Sequence, residues 1–328
     1  MKVGLFCNPK RTDDVSRTTR RLFNLRYASC CTKSGPLTHP IDPSAKSLRH
    51  LNFTGQIPFQ KGLKLQEKFV RAQLDMKELS SKIDKKLKQL EIDNPGAVVN
   101  EHEETILKSI LDMKPGPVLL TFEFEPTYTG GKRMKRQLRP EKIAAFERFR
   151  PAAQTNDKAP RFVQVERGGQ VTFHGPGQMV AYIIMDLKCF HSFPARCLVS
   201  ALEKSAINSL EKLTHQETEQ PLRLEPPGSG ETGVWVDKQS KIASIGVHVR
   251  RSVSSHGICI NVSPELSYMN NFVMCGLPET TATSILEQNP ASQISVSHMA
   301  NAFAKEFASI IGVELVEHIN VKSSEIQE

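Results

Sequence analysis

The chain has 328 residues, 39% of them hydrophobic and 24% charged, a composition that is ordinary for a globular protein. Residues 1–40 hold eight of its 43 lysines and arginines and two of its 35 acidic residues, which reduces the net charge of +8 to +2 for the rest of the chain. A nearly neutral body argues against a nucleic-acid partner. No apolar run approaches the roughly 20 residues that span a membrane, so we expect no membrane span.

The first 40 residues are rich in arginine, serine and threonine and poor in acidic residues. This composition is typical of a mitochondrial transit peptide, and the continuous apolar core of a secretory signal is missing. A disordered basic tail is the alternative interpretation. We predict a transit peptide with a disordered tail over 1–40, one folded domain over 48–320, a C-terminal tail over 321–328, and residence in the mitochondrial matrix.

Alternating and helical patterns then follow along the chain. His50–Phe53 is predicted as a strand and Phe59–Leu90 as a helix, whose second half is charged enough to be solvated. Asn94-Pro95-Gly96 ends this helix, and Glu101–Met113 predicts another. Val118–Phe124 is predicted as a strand that begins a central sheet.

The second half of the chain intermixes strands and helices. The further predicted elements are the strands Phe162–Val165, Val180–Ile184 and Ile258–Val262, a hairpin of Val234–Val236 with Ile242–Val249, a helix over Ala195–Leu213, and a last helix from Ser295 that Gly312 ends. Since β–α–β alternation is irregular, the pattern favours an α+β domain with a mixed central sheet flanked by helices over a Rossmann fold.

Arg167–Leu187, RGGQVTFHGPGQMVAYIIMDL, is the most distinctive stretch. Four glycines lie within its first twelve residues, between two predicted strands. Glycine at this density is used where the backbone approaches something closely or takes a positive φ. A glycine-rich hairpin without further function is the alternative. The basic cluster before it (Lys132, Arg133, Lys135, Arg136, Arg139) fits either phosphate binding or a solvated loop.

Two common site types find no support in the sequence. Gly228–Gly233 matches GxGxxG literally, but two prolines precede it and the strand Val234–Val236 follows, whereas a dinucleotide site needs a strand before and a helix after. The cysteines after the first 40 residues show neither a CxxC pair nor a zinc spacing, so we expect no metal and no disulfide.

Two reactive side chains remain as candidates. Cys275 precedes Thr280–Leu286, which we interpret as the start of a helix whose N–H groups would stabilise a thiolate. A buried structural cysteine is the alternative. Lys241 opens a predicted strand and either points into a cleft or marks where the strand leaves solvent.

Taken in order, these motifs resemble the lipoyl(octanoyl) transferase family. The resemblance rests on RGGxxTxHGPGQ, then Gly-Val-Trp-Val, then Lys-Ile-Ala-Ser-Ile-Gly-Val, then His-Gly-x-x-x-Asn-Val, then Cys-Gly, and it extends over roughly 118–312. It implies a single catalytic domain with a fold similar to lipoate and biotin protein ligases. The stretch 75–115 resembles an insertion relative to the family, and we assign it no role.

The resemblance also implies site residues. Cys275 would be the acyl-accepting nucleophile and Lys241 its partner. The acyl pocket would be lined by Arg167, Gly168, Gly169, Gln170, Val171, Thr172, Phe173 and His174, together with Ser244, Ile245, Gly246, Gly257, Ile258 and Cys259. Three departures from the family pattern are Phe173 in place of tyrosine, Met274 in place of proline, and the pair Phe124 and Glu125, which interrupts the usual Glu-His-Pro-Pro.

The implied reaction moves an octanoyl group from octanoyl-acyl carrier protein, through a thioester on Cys275, to a lysine of lipoyl domains such as those of glycine cleavage H protein and 2-oxoacid dehydrogenase E2 subunits. It needs no cofactor beyond the phosphopantetheine thioester of the donor. An ATP-dependent lipoate ligase-like enzyme and a non-catalytic scaffold of the same fold are the alternatives. A cysteine hydrolase is disfavoured because no Cys-His-Asn arrangement is found at a familiar spacing.

Overall fold

The computed structural model describes residues 35–95, 100–135, 137–152, 158–218, 222–224, 232–272 and 279–325. Most of the predicted transit peptide and Cys275 therefore lie outside the described residues. The helices are α1 Phe59–Asp93, α2 Glu101–Asp112, α3 Pro140–Arg148, α4 Ala195–Glu217, α5 Ser267–Asn270, α6 Ile285–Gln288 and α7 Val296–Ile310. The strands are β1 Ser47–Ile57, β2 Val118–Phe124, β3 Thr127–Gly130, β4 Arg161–Gln164, β5 Val171–His174, β6 Gln178–Ile184, β7 Val234–Trp235, β8 Ser240–Arg250, β9 Val253–Asn261, β10 Thr281–Ala282 and β11 Leu315–Lys322.

An eight-stranded mixed sheet forms the centre of the molecule, in the order β10-β8-β9-β6-β2-β1-β11, with β7 paired to β8. Its middle pairs, β8 with β9, β9 with β6 and β6 with β2, are antiparallel, whereas β1 is parallel to both β2 and β11. The predicted α+β fold with a mixed sheet flanked by helices is confirmed.

Both faces of this sheet are covered, so every residue of β6 and β9 is buried. One face packs against α4 and α7, and the core on this side includes Leu202 of α4 and Phe303 and Phe307 of α7. The other face packs against the first turns of α1, and the core on this side includes Phe59 of α1 and Phe122 and Phe124 of β2. The second half of α1 is largely exposed, as predicted for a solvated helix.

A smaller sheet of β4, β3 and β5 lies beside the central one. Its core contains Tyr128, Phe146, Phe173 and Tyr268. The chain crosses from this small sheet to the central sheet at His174–Gln178, so residues 165–172 are placed over β8 and β9. The backbone N–H of Gly168 donates to the Val247 carbonyl on β8 at 3.2 Å.

Most predicted elements are confirmed, including β2 over Val118–Phe124 and α7 with its Ser295 cap. The interpretation of Thr280–Leu286 as the start of a helix is wrong. Thr281–Ala282 pairs with β8 as a strand, and the helix begins only at Ile285, where the Ser284 side chain caps it. Within the described residues, no helix is both long and apolar enough to cross a membrane.

Candidate active site

A pocket lies between the 165–174 segment and strands β6, β8 and β9. It brings together most of the residues that the sequence predicts for substrate binding: Arg167, Gly169, Gln170, Thr172, His174, Ser244, Ile245, Gly246, Gly257, Ile258 and Cys259. Gly168, Val171 and Phe173 do not line it. Val171 and Phe173 point into the core of the small sheet instead, because successive strand residues face opposite sides.

Further lining residues are not among those that the resemblance predicts for the pocket. Phe59 at the start of α1, Val165, Val180, Tyr182 and His256 complete the wall. Val180 and Tyr182 are two positions apart on β6 and therefore face the same side of the strand. This spacing can be read from the sequence. Phe59 carries no such signal, since it is separated from the other lining residues by a hundred positions or more.

The Arg167 guanidinium holds the glycine segment in place. One terminal nitrogen donates to the carbonyls of Gly168 and Gln170, each at 3.0 Å. The other donates to the carbonyl of Thr129 at 2.8 Å and to its hydroxyl at 2.7 Å. The planar fork of donors thus joins this segment to β3 in a way that a lysine could not reproduce.

The glycines of the segment serve close approach, as predicted. Gly177 has a φ of +81°, in the left-handed region that favours glycine. A Cβ at this position would also collide with the backbone of Ser263 and Pro264. The Gly177 N–H donates to the Glu123 carboxylate at 3.0 Å, which fixes the crossing between the two sheets.

His174 is a neutral side chain within the wall. Burial, with the charge of Arg167 as a second cause, holds its pKa well below the ordinary value. The ring stacks on Phe59 with centroids 5.5 Å apart. Its Nδ1 atom is buried and has no hydrogen-bond partner, so it remains available to a ligand.

Tyr182 and Cys259 are also neutral. Burial raises the pKa of the tyrosine hydroxyl and of the cysteine thiol far above their ordinary values, and the positive charge of Arg167 only partly offsets this. The pKa of His256 falls to about 3 because its ring is buried. A wall of neutral groups beside one buried cation suits an apolar chain that ends in a polarised carbonyl.

Lys241 lies on β8, three residues before the pocket-lining Ser244, and it is only 4% exposed. Its ammonium nitrogen donates to the Thr232 carbonyl at 2.7 Å and lies 4.8 Å from the centroid of the Trp235 ring. Lys241 is therefore buried instead of marking a strand end at the surface, and it is not among the residues that line the pocket. A charge can be buried in this way only when it is hydrogen-bonded.

Described residues flank the segment 273–278, which contains Cys275, on both sides in the sequence. Phe272, on one side, packs against Tyr128 and Phe146. On the other side, Ala282 of β10 pairs with Lys241 itself. Across the described residues, no group of histidine, cysteine, aspartate and glutamate side chains is arranged to hold a metal ion.

Comparison with known proteins identifies the family. The profile of the lipoyl protein ligase A/B catalytic domain matches residues 96–308. The chain is 55% identical over 293 residues to the mitochondrial octanoyltransferase of Kluyveromyces lactis, covering 89% of this chain and 88% of that protein. This chain belongs to the octanoyltransferase family. It is therefore an acyltransferase and a mitochondrial protein, as the sequence predicted.

Other members of the family agree. The mitochondrial octanoyltransferase of Saccharomyces cerevisiae is 53% identical over 305 residues, covering 92% of each chain. An octanoyl-[acyl-carrier-protein]:protein N-octanoyltransferase of Danio rerio is 33% identical and covers 58% of this chain and 76% of its own. Among solved structures, lipoate-protein ligase A bound with ATP aligns with 64% of this chain and 78% of its own at 10% identity, with a TM-score of 0.47.

Proposed function

We propose that this octanoyltransferase transfers an octanoyl group from octanoyl-acyl carrier protein to a lysine of lipoyl domains in the mitochondrial matrix, through a thioester on Cys275. The observation that carries the proposal is the pocket: predicted residues from three separate motifs line one cavity, and β8 continues from it to the buried Lys241. The name of the Danio rerio relative supports an acyl carrier protein as donor and a protein as acceptor.

In the first half-reaction, the Cys275 thiolate attacks the thioester carbonyl of the donor. A carbon–sulfur bond to Cys275 forms as the bond to the pantetheine sulfur breaks, and the departing thiolate takes a proton from the Lys241 ammonium. The acyl chain lies in the pocket against the wall formed by Phe59, Val180 and Ile258. The buried Arg167 charge lines the same pocket and favours the negative charge that develops on the carbonyl oxygen.

In the second half-reaction, the amine of a lipoyl-domain lysine attacks the acyl-Cys275 thioester. The new carbon–nitrogen bond forms as the carbon–sulfur bond breaks, and the Cys275 thiolate leaves. Lys241 accepts the proton that the attacking nitrogen loses, which returns it to the ammonium form. Conversion of a thioester to an amide is downhill, so the cycle requires no ATP. Glycine cleavage H protein and 2-oxoacid dehydrogenase E2 subunits are the acceptors we propose.

The test is a transfer assay with purified protein, octanoyl-acyl carrier protein and an apo lipoyl domain. We expect full transfer without ATP for the wild type, and loss of transfer for Cys275→Ser and Lys241→Met. Transfer that occurs only when free octanoate and ATP are supplied would contradict the proposal and favour a ligase.

Arg133→Gln is the matched control, since Arg133 is an exposed cation beside the same glycine segment. It should leave transfer within about twofold of wild type, because exposed ion pairs and charges contribute little. A loss in this variant equal to that of Lys241→Met would mean that the assay reports general positive charge instead of a specific amine.

A further inference from the structure

A buried carboxylic acid lies behind Lys241. Glu203 is on α4, on the face that packs against the sheet with Leu202 and Ala206, and it is only 7% exposed. Its Oε1 atom accepts a hydrogen bond from the backbone N–H of Gly233, with an N–O distance of 3.1 Å. Because aspartate and glutamate are rarely buried without a partner, this position calls for a physical explanation.

Gly233 connects the carboxyl group to the catalytic amine. It has a φ of +130°, and a Cβ at this position would lie 2.5 Å from Cε and 3.0 Å from Nζ of Lys241. The carbonyl of the preceding residue, Thr232, accepts a hydrogen bond from the Lys241 ammonium. The carboxyl group, the 232–233 backbone and the lysine amine are thus stacked in that order, with the Trp235 ring on another side of the amine.

The charge of Lys241 also affects the pKa of the Glu203 carboxyl group. Burial raises the pKa of Glu203 to about 7, while the Gly233 hydrogen bond and the Lys241 charge act in the opposite direction. An ionised Glu203 places a negative charge across the 232–233 backbone from the Lys241 amine. With this pKa, Glu203 changes charge near neutral pH.

The other ionisable groups on the elements packed against α4 are at the surface, line the pocket or lie at the far end of β8. On α7, His298 and Lys305 are exposed, and Glu306 pairs with Lys212 at the surface. On β9, His256 and Cys259 line the pocket, while His248 and Arg250 lie at the far end of β8. Asp237 and Lys238 are exposed in the β7–β8 turn.

We propose that Glu203 is the positioning residue of Lys241: it holds the 232–233 backbone against the amine and, when ionised, stabilises the ammonium that forms as the attacking nitrogen loses its proton. This proposal rests on the role of Lys241 in the proposed function. Glu203 itself touches no reacting atom; it acts only through Gly233 and Lys241.

The test is the rate at which an apo lipoyl domain discharges the octanoyl-enzyme in a single turnover, measured from pH 5.5 to 9. The variants are Glu203→Gln, Glu203→Asp and, as a matched control, Asp186→Asn, which neutralises another buried carboxylate that pairs with Lys77 away from Lys241. We expect a rate limb with a midpoint near pH 7 in the wild type, in Asp186→Asn and, at lower rate, in Glu203→Asp.

Glu203→Gln should lose this limb and be at least about tenfold slower, a smaller loss than the roughly 100-fold or more that removal of a general acid or base itself costs, because Glu203 acts only through Lys241. An unchanged limb in Glu203→Gln, with a rate within twofold of Asp186→Asn, would overturn the proposal. The outcomes separate the two proposals: an active Lys241→Met would refute the proposed function, whereas an inactive Lys241→Met with an unchanged Glu203→Gln would refute this inference alone.

A second measurement applies if Glu203→Gln does not fold. The carboxyl stretching band that titrates near pH 7 is followed by infrared spectroscopy in the wild type and in Lys241→Met. Removal of the lysine charge should move its midpoint to higher pH, because the charge that favours the carboxylate is gone. An unmoved midpoint would show that the two side chains are uncoupled and would overturn the proposal.

Discussion

Two groups of polar side chains, one on the central sheet and one at the pocket, differ in how they are hydrogen-bonded. We call the first the polar ladder: His50, Asn52, Thr121, His318 and Asn320, which lie on β1, β2 and β11. The Thr121 hydroxyl donates to Asn52 at 2.9 Å and lies 2.8 Å from Nε2 of His50, whose Nδ1 lies 2.8 Å from His318. Asn52 donates to Asn320 at 3.0 Å.

The pocket is the second group, and its polar atoms are not paired in this way. Nδ1 of His174 and the hydroxyl of Tyr182 are both buried without a hydrogen-bond partner. An unsatisfied buried polar group is costly, whereas a satisfied network stabilises the fold. The difference indicates that the polar ladder serves stability, while the pocket keeps its polar atoms for a ligand.

The largest expected effect is that of Arg167→Lys, which tests whether the hydrogen bonds around the pocket serve activity. The lysine keeps the charge but loses the fork of donors to Gly168, Gln170 and Thr129. Since a displacement of about 1 Å costs roughly 100-fold in rate, we expect a loss of this size in octanoyl transfer. Steady-state kinetics measures it, and Arg133→Lys is the control. Equal rates for the two variants would contradict the role of the fork.

The next effect concerns pH and the polar ladder. Burial lowers the pKa of His50 from 6.5 to about 3, with the nearby His318 as a second cause. Between these values the unfolded chain binds a proton that the folded chain does not, so stability is complete above pH 6.5 and falls as the pH decreases towards 3. The slope is at most about 1.4 kcal/mol per pH unit for this residue.

Urea unfolding at pH 7 and pH 5 measures this slope. His256 contributes to the same window because its pKa is also about 3. His50→Gln should therefore reduce the pH dependence without abolishing it. If the variant lost the same free energy of unfolding between the two pH values as the wild type, His50 would not be held neutral by the fold.

Thr121→Val should separate stability from activity. The variant removes the hydroxyl that links His50 to Asn52 and leaves both without this partner. We expect a loss of about 1–3 kcal/mol in the free energy of unfolding and an unchanged rate of transfer at a temperature where the variant is folded. A slower rate with intact stability would place the polar ladder in the catalytic machinery and break the comparison.

Tyr182→Phe is the reciprocal and smallest change. Its hydroxyl is unpaired in the folded protein, so its removal should leave stability unchanged or slightly increased. A ligand that uses the hydroxyl would lose one hydrogen bond, which corresponds to an increase in KM of up to about tenfold. Thermal unfolding and steady-state kinetics check both parts. A clear loss of stability would mean that the hydroxyl is part of a structural network.

The sequence predicted the pocket better than it predicted the polar ladder. The glycine motif, Ser244–Gly246 and Gly257–Cys259 are local patterns, so their residues could be named before the fold was known. β11 was missed because it is a largely exposed edge strand with polar residues such as His318 and Asn320, and its pairing with β1 depends on the tertiary fold. Phe59 was missed for the same reason: only the tertiary fold brings α1 over the pocket.

Glu203 is an intermediate case. It lies among Leu202, Ala206 and Leu210 on the buried face of α4. A glutamate inside an apolar stripe is a signal that periodicity can detect, because long helices place charged residues on the opposite face. The identity of its partner could not be predicted, since Gly233 and Lys241 are brought to it by the β7–β8 hairpin.

The most direct measurement is to map the acyl group on the enzyme. The protein is incubated with octanoyl-acyl carrier protein without acceptor, digested under mildly acidic conditions, and analysed by peptide mass spectrometry. We predict one hydroxylamine-sensitive octanoyl group on the peptide that contains Cys275 and none on Cys259, whose thiol is kept protonated by burial. An octanoyl group on Cys259, or retention of the adduct in Cys275→Ser, would contradict the account.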